Sequence, residues 1–314
     1  MRKFLFTLFL PLFSLQGQTP QEDAKIPDFW STGPLLGPAG DIVEYGHIAL
    51  QPYVYWFQYT GTYGGDWRVT YYENTFNTLL FQPYFRVGLY KSIAEIDIYP
   101  QVYYNYTKGA SNWAFGDMPI WINAMLWGGE GHSYSMMLQF SLNVPFGKYR
   151  KFDPLKLATD DVGVGSWFPG AGLILYKDWH IWEAHYIALT YYANYSFGTS
   201  MNVEGLNAYG GDVDTVGRVS AGNQFLTILS SEFSLSHNWL LCLDAQYLHQ
   251  NTSKFSGTTT TTVGGYSLEQ FSIAPSIEIL WAENMGLIFG SWFPFAGRKT
   301  DQFNNFTVSL YMYW

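Results

Sequence analysis

The 314-residue sequence is poor in charge: Asp, Glu, Lys and Arg together make up 13%, about half the usual share. Basic residues are the scarcer sign, 16 against 25 acidic, for a formal net charge of −9. Nucleic acid, whose phosphates demand the opposite sign, is thereby excluded as a partner. Cys242 is the single cysteine, so neither an internal disulfide nor a Cys-based metal site is expected. Long apolar runs are missing too. Beyond the first residues, no stretch offers the roughly 20 apolar positions that a spanning helix needs.

What the sequence has in abundance is aromatic residues, 20% of the chain with 25 Tyr, 24 Phe and 13 Trp, within a hydrophobic total of 48%. A chain this apolar, with little charge and no runs, is apolar by alternation. Closed membrane barrels have that composition, because every second residue meets lipid and the others meet water.

The beginning of the chain reads as a leader. Arg2 and Lys3 precede an apolar core, Phe4 to Phe13, and a polar exit to Gly17. Residues 1–17 are therefore expected to be a signal peptide, too short to anchor the protein. Residues 18–46, punctuated by Pro20, Pro27, Pro34 and Pro38, read as an extended segment that lies in the periplasm or folds into a pore as a plug. The period-2 pattern starts at 47 and continues to 314, which predicts an all-β, antiparallel up-and-down transmembrane barrel.

Twelve alternating segments fall at 48–56, 79–89, 94–105, 118–126, 134–144, 169–175, 187–195, 225–235, 241–247, 271–279, 287–295 and 306–314. In the third, Ala94, Ile96, Ile98, Pro100, Val102 and Tyr104 alternate with Glu95, Asp97, Tyr99, Gln101, Tyr103 and Asn105. An even count returns both ends of the barrel to the periplasmic side. The connections alternate as well: short at 90–92, 127–132, 177–179, 237–238 and 282–284, long at 59–75, 106–114, 146–166, 198–222, 250–266 and 296–303. Tight periplasmic turns and longer external loops produce that alternation. Pro52, Pro83, Pro100 and Pro275 interrupt the strand patterns and are expected at bulges or strand ends, since proline removes a ladder donor. The closing run Phe306 to Trp314 resembles the C-terminal signal read by the barrel-assembly machinery. That machinery and the outer-membrane lipids are the expected partners, with a small solute.

No reaction chemistry stands out. The histidines (His47, His132, His180, His185, His237 and His249) lack a ligand spacing on one strand face, so no metal is expected. His132-Ser133 falls on a predicted periplasmic turn, the wrong side for a surface hydrolase. Asp160-Asp161 reads as a solvated acidic loop. Gly128-Gly129-Glu130-Gly131 lacks the Lys and helix of a phosphate loop, and Thr258 to Thr262 is a low-complexity loop tip. The sequence is not expected to be an enzyme or to carry a cofactor.

Function is expected in the lumen row. The alternation turns inward Gln51, Tyr53, Gln82, Tyr84, Arg86, Glu95, Asp97, Tyr99, Gln101, Tyr103, Glu232, Asp244, Gln246 and Glu278. One reading is a hydrogen-bonded network that holds the barrel, with the acids and Arg86 paired. The other is a narrow path whose acids favour cations or neutral solutes and whose tyrosines offer stacking surfaces.

Leu142-Asn143-Val144-Pro145-Phe146-Gly147, a polar loop, then Gly163-Val164-Gly165-Ser166-Trp167-Phe168-Pro169-Gly170 resembles a bacterial outer-membrane family named for the meta-cleavage pathway of phenol degradation. Gly116-Asp117 and Pro294-Phe295-Ala296-Gly297 fit the same pattern, although Phe146 stands where the family has Thr and the loop is longer. The resemblance implies a barrel that passes small, often aromatic or hydrophobic, compounds, and it brings no catalytic residues. The expectation is an outer-membrane channel for passive uptake of such solutes through a narrow, tyrosine-rich acidic lumen. The alternative is a structural or adhesin-like surface barrel without permeation.

Overall fold

The computed structural model describes residues 30–314 except Glu130, Glu183, Ala184 and Glu283. Residues 1–17, expected to be a signal peptide, and residues 18–29 of the segment that follows lie outside the described residues.

Among the described residues seventeen strands follow one another. The first wall strands are β1 (Ile48–Tyr63), β2 (Val69–Gly88), β3 (Ala94–Ile98), β4 (Val102–Thr107), β5 (Ala110–Phe115), β6 (Met118–Gly128), β7 (Tyr134–Val144), β8 (Phe168–Trp182) and β9 (His185–Ser196). A small external sheet takes β10 (Ser200–Glu204), β11 (Val216–Ser220) and β14 (Lys254–Thr258). The wall resumes with β12 (Gln224–Ser236), β13 (Trp239–Gln250), β15 (Leu268–Ala282), β16 (Met285–Arg298) and β17 (Asp301–Tyr313). Strands β3 and β4 are one stave broken at 99–101, and β5 and β6 are another broken at 116–117. The result is a closed, antiparallel, 12-stranded barrel. Closure comes from β1, which pairs with β2 on one side and β17 on the other. Every stave therefore has two neighbours, as a lipid-embedded sheet requires, and β5, the outer part of its stave, pairs with β4 alone.

Burial is inverted relative to a soluble sheet. In β2, Phe81 and Phe85 are exposed whereas Tyr84 and Arg86 are buried. Phe140 and Leu229 are exposed at 53% and 50%, while Gln139 and Ser230 beside them are at most 1% exposed. The apolar row faces outward and the polar row faces an enclosed interior. Around the short-turn end, Tyr90, Trp127, Trp182, Trp239, Trp281 and Trp314 are exposed and form an aromatic girdle suited to a headgroup layer.

Three connections expected to be long are strand extensions closed by tight turns. β1 and β2 continue to Tyr63 and from Val69, β4 and β5 turn at 108–109, and β16 and β17 turn at 299–300. Hydrogen-bonded pairing satisfies backbone groups beyond the membrane as well as within it, so polar residues there stay in strands. Of the prolines, Pro100 sits in the break between β3 and β4, as expected. Pro52 and Pro83 instead face each other in mid-strand. Their missing donors fall where the neighbouring ladders lapse: pairing with β17 jumps from Leu50 to Tyr53, and pairing of β2 jumps from Phe81 to Phe85.

Candidate functional site: the occupied lumen

The lumen is not empty. Residues 30–43 run inside the barrel, where Thr32, Leu35 and Val43 are buried. Leu35 packs on Tyr53, Tyr84 and Tyr99. Leu36 and Ile42 pack on Met137, Ile174, Tyr192 and Ile228. The glycines of this segment let it pass close to the wall. A Cβ on Gly40 would lie 2.2 Å from the Tyr176 ring, and one on Gly37 would lie 2.6 Å from the Ser230 hydroxyl.

The expected lumen residues fall into two groups on opposite walls. On β2 and β3, Arg86 is 2% exposed and donates to Glu95 Oε2 at 3.0 Å. The same guanidinium nitrogen donates to Asp41 Oδ1 at 3.0 Å, an ion pair with the threaded segment. Asn123 bridges Glu95 at 3.0 Å and Asp97 at 2.8 Å, and Tyr84 donates to Asp97 at 3.1 Å. On β12, β13 and β15, the acids Glu232, Asp244 and Glu278 are at most 2% exposed. None of the ion pairs among the described residues reaches them, so pairing of all the acids with Arg86 does not hold. Backbone N–H groups of the segment take that role: Leu36 donates to Asp244 at 3.1 Å and Thr32 donates to Glu278. Val43 makes the equivalent bond on the first wall, to Glu95 at 2.8 Å.

Gln51 is buried at 2%. Gln101 and Tyr103 line a cavity on the long-loop side, while Gln82 and Gln246 are half-buried, two residues from Tyr84 and Asp244 on the same strand faces. Sequence reasoning missed the apolar interior residues Met137, Ile174, Leu240 and Ile288, all at most 1% exposed. In alternation with an apolar outer row they read as plain hydrophobic strand; only the threaded segment gives them something to pack against.

The cavity on the long-loop side measures about 680 Å³ and is lined by Tyr59, Tyr103, Trp121, Phe168 and Tyr192, with Asp117 and Asp161. Along β1, Tyr53, Tyr55, Phe57 and Tyr59 stack in series, with ring centroids 5.4, 5.9 and 5.9 Å apart. The ladder arises because alternate residues of one strand share a face. A second cavity, about 510 Å³, opens at the short-turn end between Trp30, Asp41, Arg86, Tyr176 and Glu232, and also touches His132 and Ser133. The threaded segment, with Leu35 and Leu36 at its centre, lies between the two.

The long loops fold inward over the first cavity. Asp117, at the break between β5 and β6, accepts from Gly147 N–H at 2.9 Å, Val164 N–H at 3.0 Å and Asn143 Nδ2 at 3.0 Å. Gly147 and Gly163 pack so closely that a Cβ on either would meet backbone at 2.3–2.6 Å. The two stretches that carry the family resemblance thus meet at one carboxylate, which was absent from the expected site residues.

Asp160 corrects the expectation of a solvated acidic loop. It is 2% exposed and paired with Lys148 at 2.5 Å. Asn105 fastens the same loop through the carbonyls of Thr159 at 3.1 Å and Asp161 at 3.3 Å. Asp161 faces the cavity, and its carboxyl is pushed up to about 7, chiefly by burial and then by the charges of Asp160 and Asp117.

An outer-membrane β-barrel is the class this geometry defines. No family model matches the sequence, and no curated protein matches it either. Among solved structures it is similar to the COG4313 outer membrane channel from Pseudomonas putida F1, with a TM-score of 0.67 at 10% identity over 89% of this chain and 100% of that one. Looser likenesses include the transport unit of the autotransporter AIDA-I from Escherichia coli, with a TM-score of 0.46 at 11% identity over 85% of this chain and 89% of that one. The NanC porin is looser still, at 0.42 and 6% identity over 84% and 98%. At 10% identity the likeness to the COG4313 channel establishes the fold.

Proposed function

We propose that the protein is an outer-membrane channel for passive uptake of small aromatic or hydrophobic solutes, closed at rest by its N-terminal segment. The observation that carries this reading is the aromatic-lined cavity stacked above the threaded segment, with a second cavity below it. A solute entering from the loop side meets Tyr59, the ring of the β1 ladder that lines this cavity, together with Tyr103, Trp121 and Tyr192, which offer flat amphipathic surfaces at little ordering cost. Asp117 and Asp161 at the entrance disfavour anions. Passage requires the segment to shift, and its polar anchors are few and reversible. The likeness to a solved outer membrane channel supports a channel, and the resemblance to the phenol-pathway family supports this class of solute. A structural or adhesin-like barrel needs no aromatic chamber on its axis.

Equilibrium binding of 4-nitrophenol to the detergent-solubilised barrel tests the reading, followed by quenching of tryptophan emission. Saturable quenching that a non-aromatic solute of equal size does not compete is expected. Unsaturable quenching, or equal competition by the non-aromatic, contradicts it.

A further inference from the structure

Three potential metal ligands converge on the wall behind the threaded segment. Glu232 on β12 is register-paired with Cys242 on β13. Glu278 on β15 is paired with Leu240, two residues along the same face from Cys242. Their ligand atoms all lie within 4.8 Å of one another, and each residue is buried. Each carboxylate has one oxygen engaged and one left over. Glu278 Oε1 accepts the Thr32 N–H, whereas Oε2 has no partner. Glu232 is hydrogen-bonded by Ser31, whereas its Oε1 has none. Both residues are at most 2% exposed, and a carboxylate oxygen left unpaired at that depth is costly unless a proton or a metal cation meets it.

We propose that Glu232, Cys242 and Glu278 form a binding site for one divalent cation of the zinc class. Two carboxylates and a thiolate suit a borderline cation that accepts both oxygen and sulfur at about 2.0–2.3 Å. Side-chain rotations bring the three ligand atoms to tetrahedral spacing, and a water completes the shell. Binding forms the metal–sulfur bond as the thiol proton leaves to water, so the ion replaces one proton and offsets the carboxylate charge. Glu232 lines the cavity at the short-turn end, which gives the ion a route in. Because the opposite oxygens of both carboxylates hold Ser31 and Thr32, a bound ion fixes the carboxylates that anchor the start of the threaded segment. The site does not depend on what the barrel transports. Cysteine solitude had argued against such a site in the sequence. Its ligands come from three strands and have no local spacing to read.

Cobalt(II) titration of the purified full-length barrel tests the proposal, with stoichiometry read by elemental analysis. One cobalt per barrel is expected, with a thiolate-to-metal charge-transfer band that zinc abolishes by displacement. Cys242→Ser should remove the band, and Glu278→Gln should weaken binding by more than about tenfold. Asp160→Asn, on the external loop, should change neither. Heat-modifiable gel mobility establishes that each variant is folded. If a variant does not fold, protection of wild-type Cys242 from a small maleimide by zinc replaces it as the readout. No stoichiometric cobalt, cobalt bound without the thiolate band, binding unchanged in the folded variants, or maleimide labelling indifferent to zinc would each overturn the proposal.

Discussion

Val43 donates its backbone N–H to the carboxylate of Glu95 across 2.8 Å, joining the threaded N-terminal segment to the barrel wall. Glu95 also holds the Arg86 guanidinium at 3.0 Å. One wall residue thus serves both as anchor for the segment and as counter-charge for a buried cation. Removing it by Glu95→Ala strands Arg86 with only Asp41, a residue of the segment itself. Breaking a buried pair from one side costs about 3–5 kcal/mol. The segment should loosen, so cleavage at residues 30–46 by an added protease should accelerate while the barrel resists. Cleavage at the wild-type rate would mean that the anchor is unimportant.

Asp161 sets a pH dependence. Its folded carboxyl titrates at about 7, above the ordinary 3.8, so the folded protein holds that proton more tightly than the unfolded chain. The contribution of this group therefore favours folding least at high pH, and stability falls as pH rises between about 4 and 7. Cation preference at the entrance should move the other way, rising through pH 7 as the carboxylate ionises. Asp161→Asn should flatten the reversal-potential shift; a shift of unchanged size would assign the titration elsewhere.

Asp117 is the pin for the loops above the cavity. Asp117→Ala removes the acceptor for Gly147, Val164 and Asn143. Leaving buried donors unpaired costs about 1–3 kcal/mol each. Hydrogen exchange at the Gly147 and Val164 amides should speed by at least about tenfold, with the wall strands unchanged. Equal protection in variant and wild type would show that the loops are held by other contacts.

The stacked rings of β1 offer a graded test of solute affinity. Phe57 touches Tyr55 and Tyr59 in series and meets Trp292 and Phe303 edge-on. Phe57→Leu preserves apolar volume but removes the ring, which is worth about 0.5–1.5 kcal/mol. Binding of 4-nitrophenol should weaken by roughly two- to tenfold, and a variant that binds as tightly as wild type removes the ladder from the solute path.

Much of the barrel was legible because lipid enforces a strict rule. Glu95 and Asp97 alternating with Ile96 and Ile98 leave one orientation in a closed sheet. The small external sheet was not legible: β10, β11 and β14 are five residues each and pair across loops far apart in sequence. Nor was the inward fold of Asp160, whose burial depends on Lys148 reaching it. The position of residues 30–43 was left open by composition, since Pro34, Gly37, Pro38 and Gly40 suit a periplasmic tail and a threaded strap equally. Long-range backbone bonds to Asp244, Glu278 and Glu95 fix it in the lumen, and such bonds leave no periodic trace.

Planar-bilayer conductance of the full-length protein, compared with a chain lacking residues 30–43, tests closure by the threaded segment most directly. The intact barrel should conduct small ions weakly and intermittently. The shortened one should hold a steady conductance several times larger. Equal conductance from two properly folded barrels would contradict closure by the threaded segment, whether both were open or both sealed.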